Sequence, residues 1–134
     1  MKYLFLFLFV VSPAYSAYNG LLERADEQYS KRDYTPEGIG SASDAAYNYN
    51  RVAKNLLSNL EAYYATAREL RANHFIGMAS DKNKERIFFE GFTTGERAML
   101  ALKNTYGANP FSSLNERGKK IYAELIAFHA FNIM

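Results

Sequence analysis

His74 and His129 are the only imidazoles in a chain of 134 residues that contains no cysteine. Neither stands in a His-x3-His or Glu-x-x-His spacing, the patterns that bring helix side chains together on a metal. Met78 follows His74 by one helical turn, and histidine with methionine is a known pair of haem ligands. On one turn both face the same way, so they cannot reach opposite faces of a haem. His129 with Met99 is the other pairing, and nothing in the spacing forces it. The histidines therefore read as inward side chains satisfied by hydrogen bonds, with no metal and no cofactor expected. The lack of cysteine also removes thiolate nucleophiles, zinc–thiolate sites, iron–sulfur clusters and disulfides.

Acid–base and nucleophilic chemistry lack a constellation. Glu85, Glu90 and Glu96 fall on different sides of one helical stretch, and Glu61 and Glu69 are similarly dispersed. Ser41, Ser58, Ser80, Ser112 and Ser113 sit at turns and helix starts, where capping accounts for them. With no nucleophile beside a base, the chain is not expected to be an enzyme. Gly91 and Gly95 lie four apart in a helical stretch, where each costs about 1 kcal/mol relative to alanine. Close packing of a neighbouring helix backbone is the expected reason. No strand precedes them and no Gly-Lys-Ser/Thr follows, so they are not a phosphate loop.

Aromatic and arginine side chains carry more information. Tyr47, Tyr49, Tyr63, Tyr64, Phe75, Phe88, Phe89 and Phe92 alternate with Arg51, Arg68, Arg71, Arg86 and Arg97. Most of these rings must be core. Adjacent pairs such as Tyr63-Tyr64 and Phe88-Phe89 stand about 100° apart on a helix, so one of each pair belongs nearer the surface. A groove of tyrosine and arginine is a common protein-binding composition. On that ground Tyr49, Tyr63, Tyr64, Arg71, Phe128 and Phe131 are the candidate partner-binding residues. An ordinary wet tyrosine rim has the same composition, and both readings stay open.

These residues require helices to position them. Apolar and alanine residues recur at spacings of three and four, and no strand-like alternation of any length occurs. The spacing predicts a helix over 21–32, ended by Asp33-Tyr34-Thr35-Pro36. A second helix is expected from Ser41, which forms a capping box with Asp44, through Leu56; Gly38 and Gly40 argue against an earlier start. A third runs from Leu60 to Met78, and a fourth from Lys84 to Tyr106, stopped by Gly107. A second capping box, Ser113 with Glu116, opens a last helix over 114–134. Its end, Ala127 to Met134, is apolar and has no evident C-cap.

The first sixteen residues read as a cleaved signal peptide: Lys2, an apolar run of about ten residues, then Ala14 and Ser16 before the cut. That run is too short to span a bilayer, which needs roughly 20 helical residues. Losing Lys2 lowers the formal charge from +2 by one. Such a balance gathers neither nucleic acid nor anionic lipid. The expectation is one helical domain over 17–134, periplasmic or secreted, with no lipobox cysteine and no membrane attachment after cleavage.

Leu22–Arg32, Asp44–Ala53, Ala62–Ala79 and Lys84–Leu102 together resemble a tetratricopeptide (TPR) pattern. Tyr49-Asn50-Arg51-Val52-Ala53 looks like the second helix of such a unit, Leu60-Glu61-Ala62-Tyr63-Tyr64 opens the next pair, and Phe92-Thr93-Thr94-Gly95-Glu96-Arg97-Ala98 marks its partner. The sequence is similar to the periplasmic TPR proteins associated with TRAP-type transporters. Ala25 to Ala67 spans about 42 residues, against 34 in a regular unit, and the third pair is incomplete. The resemblance implies an all-α array of antiparallel helix pairs, about 21–56 and 60–106, with the terminal helix as cap; a closed five-helix bundle is the alternative. It also implies a non-enzymatic exported binding or adaptor protein beside a solute transporter. Its partner would be a periplasmic solute-binding component or a small ligand, and a homo-oligomer stays open. The alternative function is a small periplasmic inhibitor or immunity-type protein that neutralises an enzyme or toxin.

Overall fold

The computed structural model describes residues 18–55 and 59–133. The expected signal peptide, residues 56–58 and Met134 lie outside the described residues. The protein is all-α. Six helices pack antiparallel among the described residues: α1 over 18–30, α2 Pro36–Asn55, α3 Leu60–Ala79, α4 Lys84–Tyr106, α5 Pro110–Ser113 and α6 Glu116–Phe131.

Local chemistry sets these boundaries, and in two places it departs from the expected ones. α2 begins at Pro36, five residues before Ser41. Pro36 has no amide hydrogen to lose in the first turn. Thr35 supplies the cap: its hydroxyl accepts from the Gly38 amide at 3.1 Å, and its carbonyl accepts from Ile39 at 2.9 Å. Asp33 in turn accepts from both the amide and the hydroxyl of Thr35, which holds its carboxyl below the usual range. Gly38 is tolerated because a side chain there would collide with Asp33. Ser41 and Asp44 therefore lie inside the helix and cap nothing.

The second departure is at α6. Ser113 ends the one-turn α5, and Asn115 caps α6 by accepting from the Gly118 amide at 2.8 Å. The expected box of Ser113 and Glu116 does not form. α3 and α4 match their expected spans closely. Asn59 caps α3 through the Glu61 amide, and Gly107, with φ of 96°, turns the chain out of α4.

α3 is the centre of the fold, packed against α2, α4 and α6. One core cluster joins Tyr63, Ala67 and Leu70 to Leu102 of α4 and to Ile121, Tyr122 and Leu125 of α6. A separate cluster joins Ala72 of α3 to Ala25 and Tyr29 of α1 and to Ala45 and Tyr49 of α2. Small side chains permit this double burial. Ala62, Ala65, Ala67 and Ala72 let neighbours approach α3 from several directions. Buried polar links fix the register of the first pair. Asn48 donates to Gln28 at 2.7 Å, and the Tyr49 hydroxyl donates to Asp26.

The end of α6 is held firmly. Asn132 is buried and donates to the carbonyls of Phe128 at 2.7 Å and Leu70 at 3.1 Å. A side chain at Gly91 would occupy the place of Asn132, and one at Gly95 the place of His129. The expected close approach of a helix backbone is thus an approach of α6 side chains. The apolar C-terminal stretch has a polar anchor after all, in Asn132.

Candidate functional site

Three helices converge on an open groove of about 360 Å³. α1 delivers Tyr29 and, just past its last turn, Arg32. α3 delivers Arg71, His74, Phe75 and Met78, and α6 delivers Phe128 and Phe131. The spacing on α3 accounts for its contribution, since residues three, four and seven apart share a helix face.

Two guanidiniums stack on one ring. The Arg71 guanidinium carbon lies 3.9 Å from the Tyr29 centroid, and that of Arg32 lies 4.0 Å from it. Arg32 also donates to the Tyr29 carbonyl at 3.2 Å and reaches over Phe75 at 5.7 Å. Cation–π contacts of this kind contribute about 0.5–2 kcal/mol each, more where water is excluded. Among the described residues neither arginine forms an ion pair, and Arg71 Nε is buried with no acceptor. Among the described residues no carboxylate lines the groove. Stacking fixes the planes of the guanidiniums while leaving N–H edges to meet a planar anion.

Aromatic side chains form the rest of the wall. Tyr34 is 73% exposed and sits 5.4 Å from Phe75. His74 Nδ1 lies 3.1 Å from the Phe131 carbonyl, an arrangement in which that nitrogen carries the proton and donates. Its ring is 5.4 Å from Phe131, which packs edge-on to Phe128. Between Phe128 and Phe131 on α6, His129 stacks on Phe92 at 4.9 Å and contacts Glu96 at 2.8 Å through Nε2. The groove is thereby attached to a fastened α6.

The six candidate partner-binding residues separate. Arg71, Phe128 and Phe131 come together in the groove, with Phe131 half-exposed. Tyr49 and Tyr63 are buried and lie outside the groove. Tyr49 sits in the α1–α2–α3 cluster, where burial and the hydrogen bond to Asp26 raise its hydroxyl pKa. Tyr63 packs in the other cluster, edge-on to Tyr106. Tyr64 is half-buried outside the groove, under the Arg68 guanidinium at 4.8 Å, and burial raises its pKa as well. Of the adjacent pairs, Tyr63 and Phe88 are interior while Tyr64 and Phe89 lie farther out. Sequence reasoning passed over Tyr29, Arg32, Tyr34, His74, Phe75 and Met78 as parts of one site. Tyr29-x-x-Arg32 was the available signal, an aromatic and a cation three apart on a helix.

No family model matches the chain, and no curated protein or solved structure matches it. Among the described residues, no helix is long and apolar enough to cross a membrane, and no three His, Asp or Glu side chains gather as a metal site.

Proposed function

We propose that this chain is a non-enzymatic exported binding or adaptor protein, built as a short TPR-like stack. Its groove between α1, α3 and α6 takes a carboxylate-bearing segment of a partner protein. The observation that carries this reading is the two guanidiniums, Arg32 and Arg71, stacked on Tyr29 with no ion pair and no acid in the groove among the described residues. Aromatic and arginine side chains together are the usual anchors of protein interfaces. An acidic or C-terminal segment complements them and supplies the negative charge that neither meets among the described residues.

The TPR-like reading draws support from helix neighbours. α2 packs on α3, and α6 packs on both α3 and α4, which is how successive hairpins stack. The two core clusters, one on each side of α3, also suit layers better than one closed core. Export rests on the leader-like residues 1–16. A role beside a solute transporter rests on the sequence resemblance.

Capture from periplasmic extract tests the proposal. Wild-type protein should retain a partner that an Arg32→Glu, Arg71→Glu variant loses. Recovery of a solute-binding component supports the adaptor, and recovery of a hydrolase or toxin supports an inhibitor. Equal capture by the wild type and the folded variant would remove the groove from the account.

A further inference from the structure

A second opening, of about 290 Å³, lies between α2, α3 and α4. Its polar side chains are Asn50 and Lys54 of α2, Thr66 and Glu69 of α3, and Thr94 and Arg97 of α4. Alanines from all three helices supply much of the remaining wall. Glu69 is 7% exposed. Its Oε1 accepts from Asn50 Nδ2 at 2.8 Å, while its Oε2 is buried with no partner among the described residues. A buried carboxylate with one empty oxygen is costly and calls for a reason.

The surrounding charges narrow the reason. Lys54 from α2 and Arg97 from α4 are exposed residues whose fields reach Glu69, yet neither pairs with it. On α3 itself, Tyr63 also lines the cleft, and its hydroxyl is buried and unpartnered among the described residues. A ligand with only a positive charge would satisfy Glu69 and be repelled by the two cations. A ligand with only a negative charge would meet Lys54 and Arg97 and leave Oε2 empty. One carrying both charges a few bonds apart satisfies both ends. The volume is at the small end of ligand pockets, so the ligand has few heavy atoms.

We propose that this cleft binds a small zwitterion of the amino-acid class, its ammonium drawn to the Glu69 carboxylate, which turns its unpartnered oxygen toward it, and its carboxylate toward Lys54 and Arg97. The alanine walls leave room for the ligand's side chain. This site shares no residue with the groove and stands whether or not the groove takes a partner. Burial, the largest influence on Glu69, raises its carboxyl to about 7 against the opposing pull of Asn50, Lys54 and Arg97. An ammonium beside the Glu69 carboxylate stabilises the ionised form and lowers that value.

The test is a titration of the purified protein with each standard L-amino acid, followed by amide NMR at Thr66, Glu69 and Thr94. Concentrations to about 10 mM reach millimolar sites. At least one amino acid should give saturable shifts. Its decarboxylated amine and its deaminated acid should each bind about tenfold more weakly or worse. Glu69→Gln should weaken binding by a similar factor, and so should the rim variant Lys54→Ala, Arg97→Ala, which does not touch the interior. The proposal is overturned if no amino acid binds, if the amine alone binds as well, or if both folded variants bind like the wild type.

Discussion

The groove and the cleft both draw on α3, and they handle charge in opposite ways. In the groove, Arg32 and Arg71 stack on the Tyr29 ring; Arg32 is exposed, while Arg71 is half-buried, with its Nε covered. In the cleft, Glu69 is buried with one oxygen satisfied by Asn50 and the other empty. Stacking on a ring offsets part of the cost of an unpaired cation, and the N–H edges left free select a partner. A buried, half-satisfied carboxylate weakens the fold whenever it ionises. Unpaired groups in a native structure thus differ in meaning with depth: one is recognition, its cost offset in part by stacking, the other a strain for which a ligand compensates.

The largest expected effect comes from breaking the shared helix. Leu70 is fully buried on α3 in the cluster with α4 and α6, and Asn132 donates to its carbonyl. Leu70→Ala should cost about 2–5 kcal/mol in denaturant unfolding. Probes in the groove and in the cleft should lose structure together, since both hang on α3.

Glu69→Gln separates the regions. The folded carboxyl keeps its proton to about 7, whereas an ordinary glutamate releases it near 4.5. Between those values the folded state binds more protons than the unfolded chain, so rising pH destabilises the fold. The loss should reach roughly 3 kcal/mol above pH 7 and be absent below about pH 4.5. Glutamine can still accept from Asn50 and carries no charge. The variant should therefore be more stable than wild type at pH 8 by a similar amount, with a flatter pH profile in urea melts. Such a gain in stability with loss of ligand is the usual mark of a functional polar group.

Next is the fastening of α6, which lines the groove and not the cleft. Gly95→Ala places a methyl where His129 sits, and should cost about 1–3 kcal/mol by thermal melting. His129 would move off Phe92, and Phe128 one residue before it would carry the disturbance into the groove. The smallest change in stability should come from Arg71→Ala. Loss of its stack on Tyr29 should cost about 0.5–2 kcal/mol, while partner capture falls far more.

The legible parts of the fold were those with local punctuation. α4 reads clearly because a polar turn precedes it and Gly107 follows. The start of α2 did not, because Gly38 looks like a helix breaker until Asp33 is seen packed against it. At α6, Asn115 prevailed over the Ser113–Glu116 pattern because Pro110 had already spent Ser113 in a separate turn. For the sites, composition pointed to Arg71, Phe128 and Phe131, but their convergence with Tyr29 and Arg32 depends on how α1 and α6 pack on α3. The burial of Glu69 was hidden for a related reason. α3 carries alanine on nearly every side, so its sequence marks no single wet face on which a glutamate must lie. The burial of Tyr49 and Tyr63 was hidden by the same ambiguity, since a tyrosine suits either an interface or an interior.

The central claim, that the arginine-stacked groove is the partner surface, is tested most directly by photocrosslinking in cells. A photoreactive residue is placed at Tyr34, on the groove, and in a second strain at Tyr47, an equally outward tyrosine of α2, 66% exposed. One discrete adduct is expected from the Tyr34 position, lost when Arg71→Ala is added, and none of that size from Tyr47. Adducts of equal yield from both positions, or an adduct from Tyr34 that survives Arg71→Ala, would contradict it.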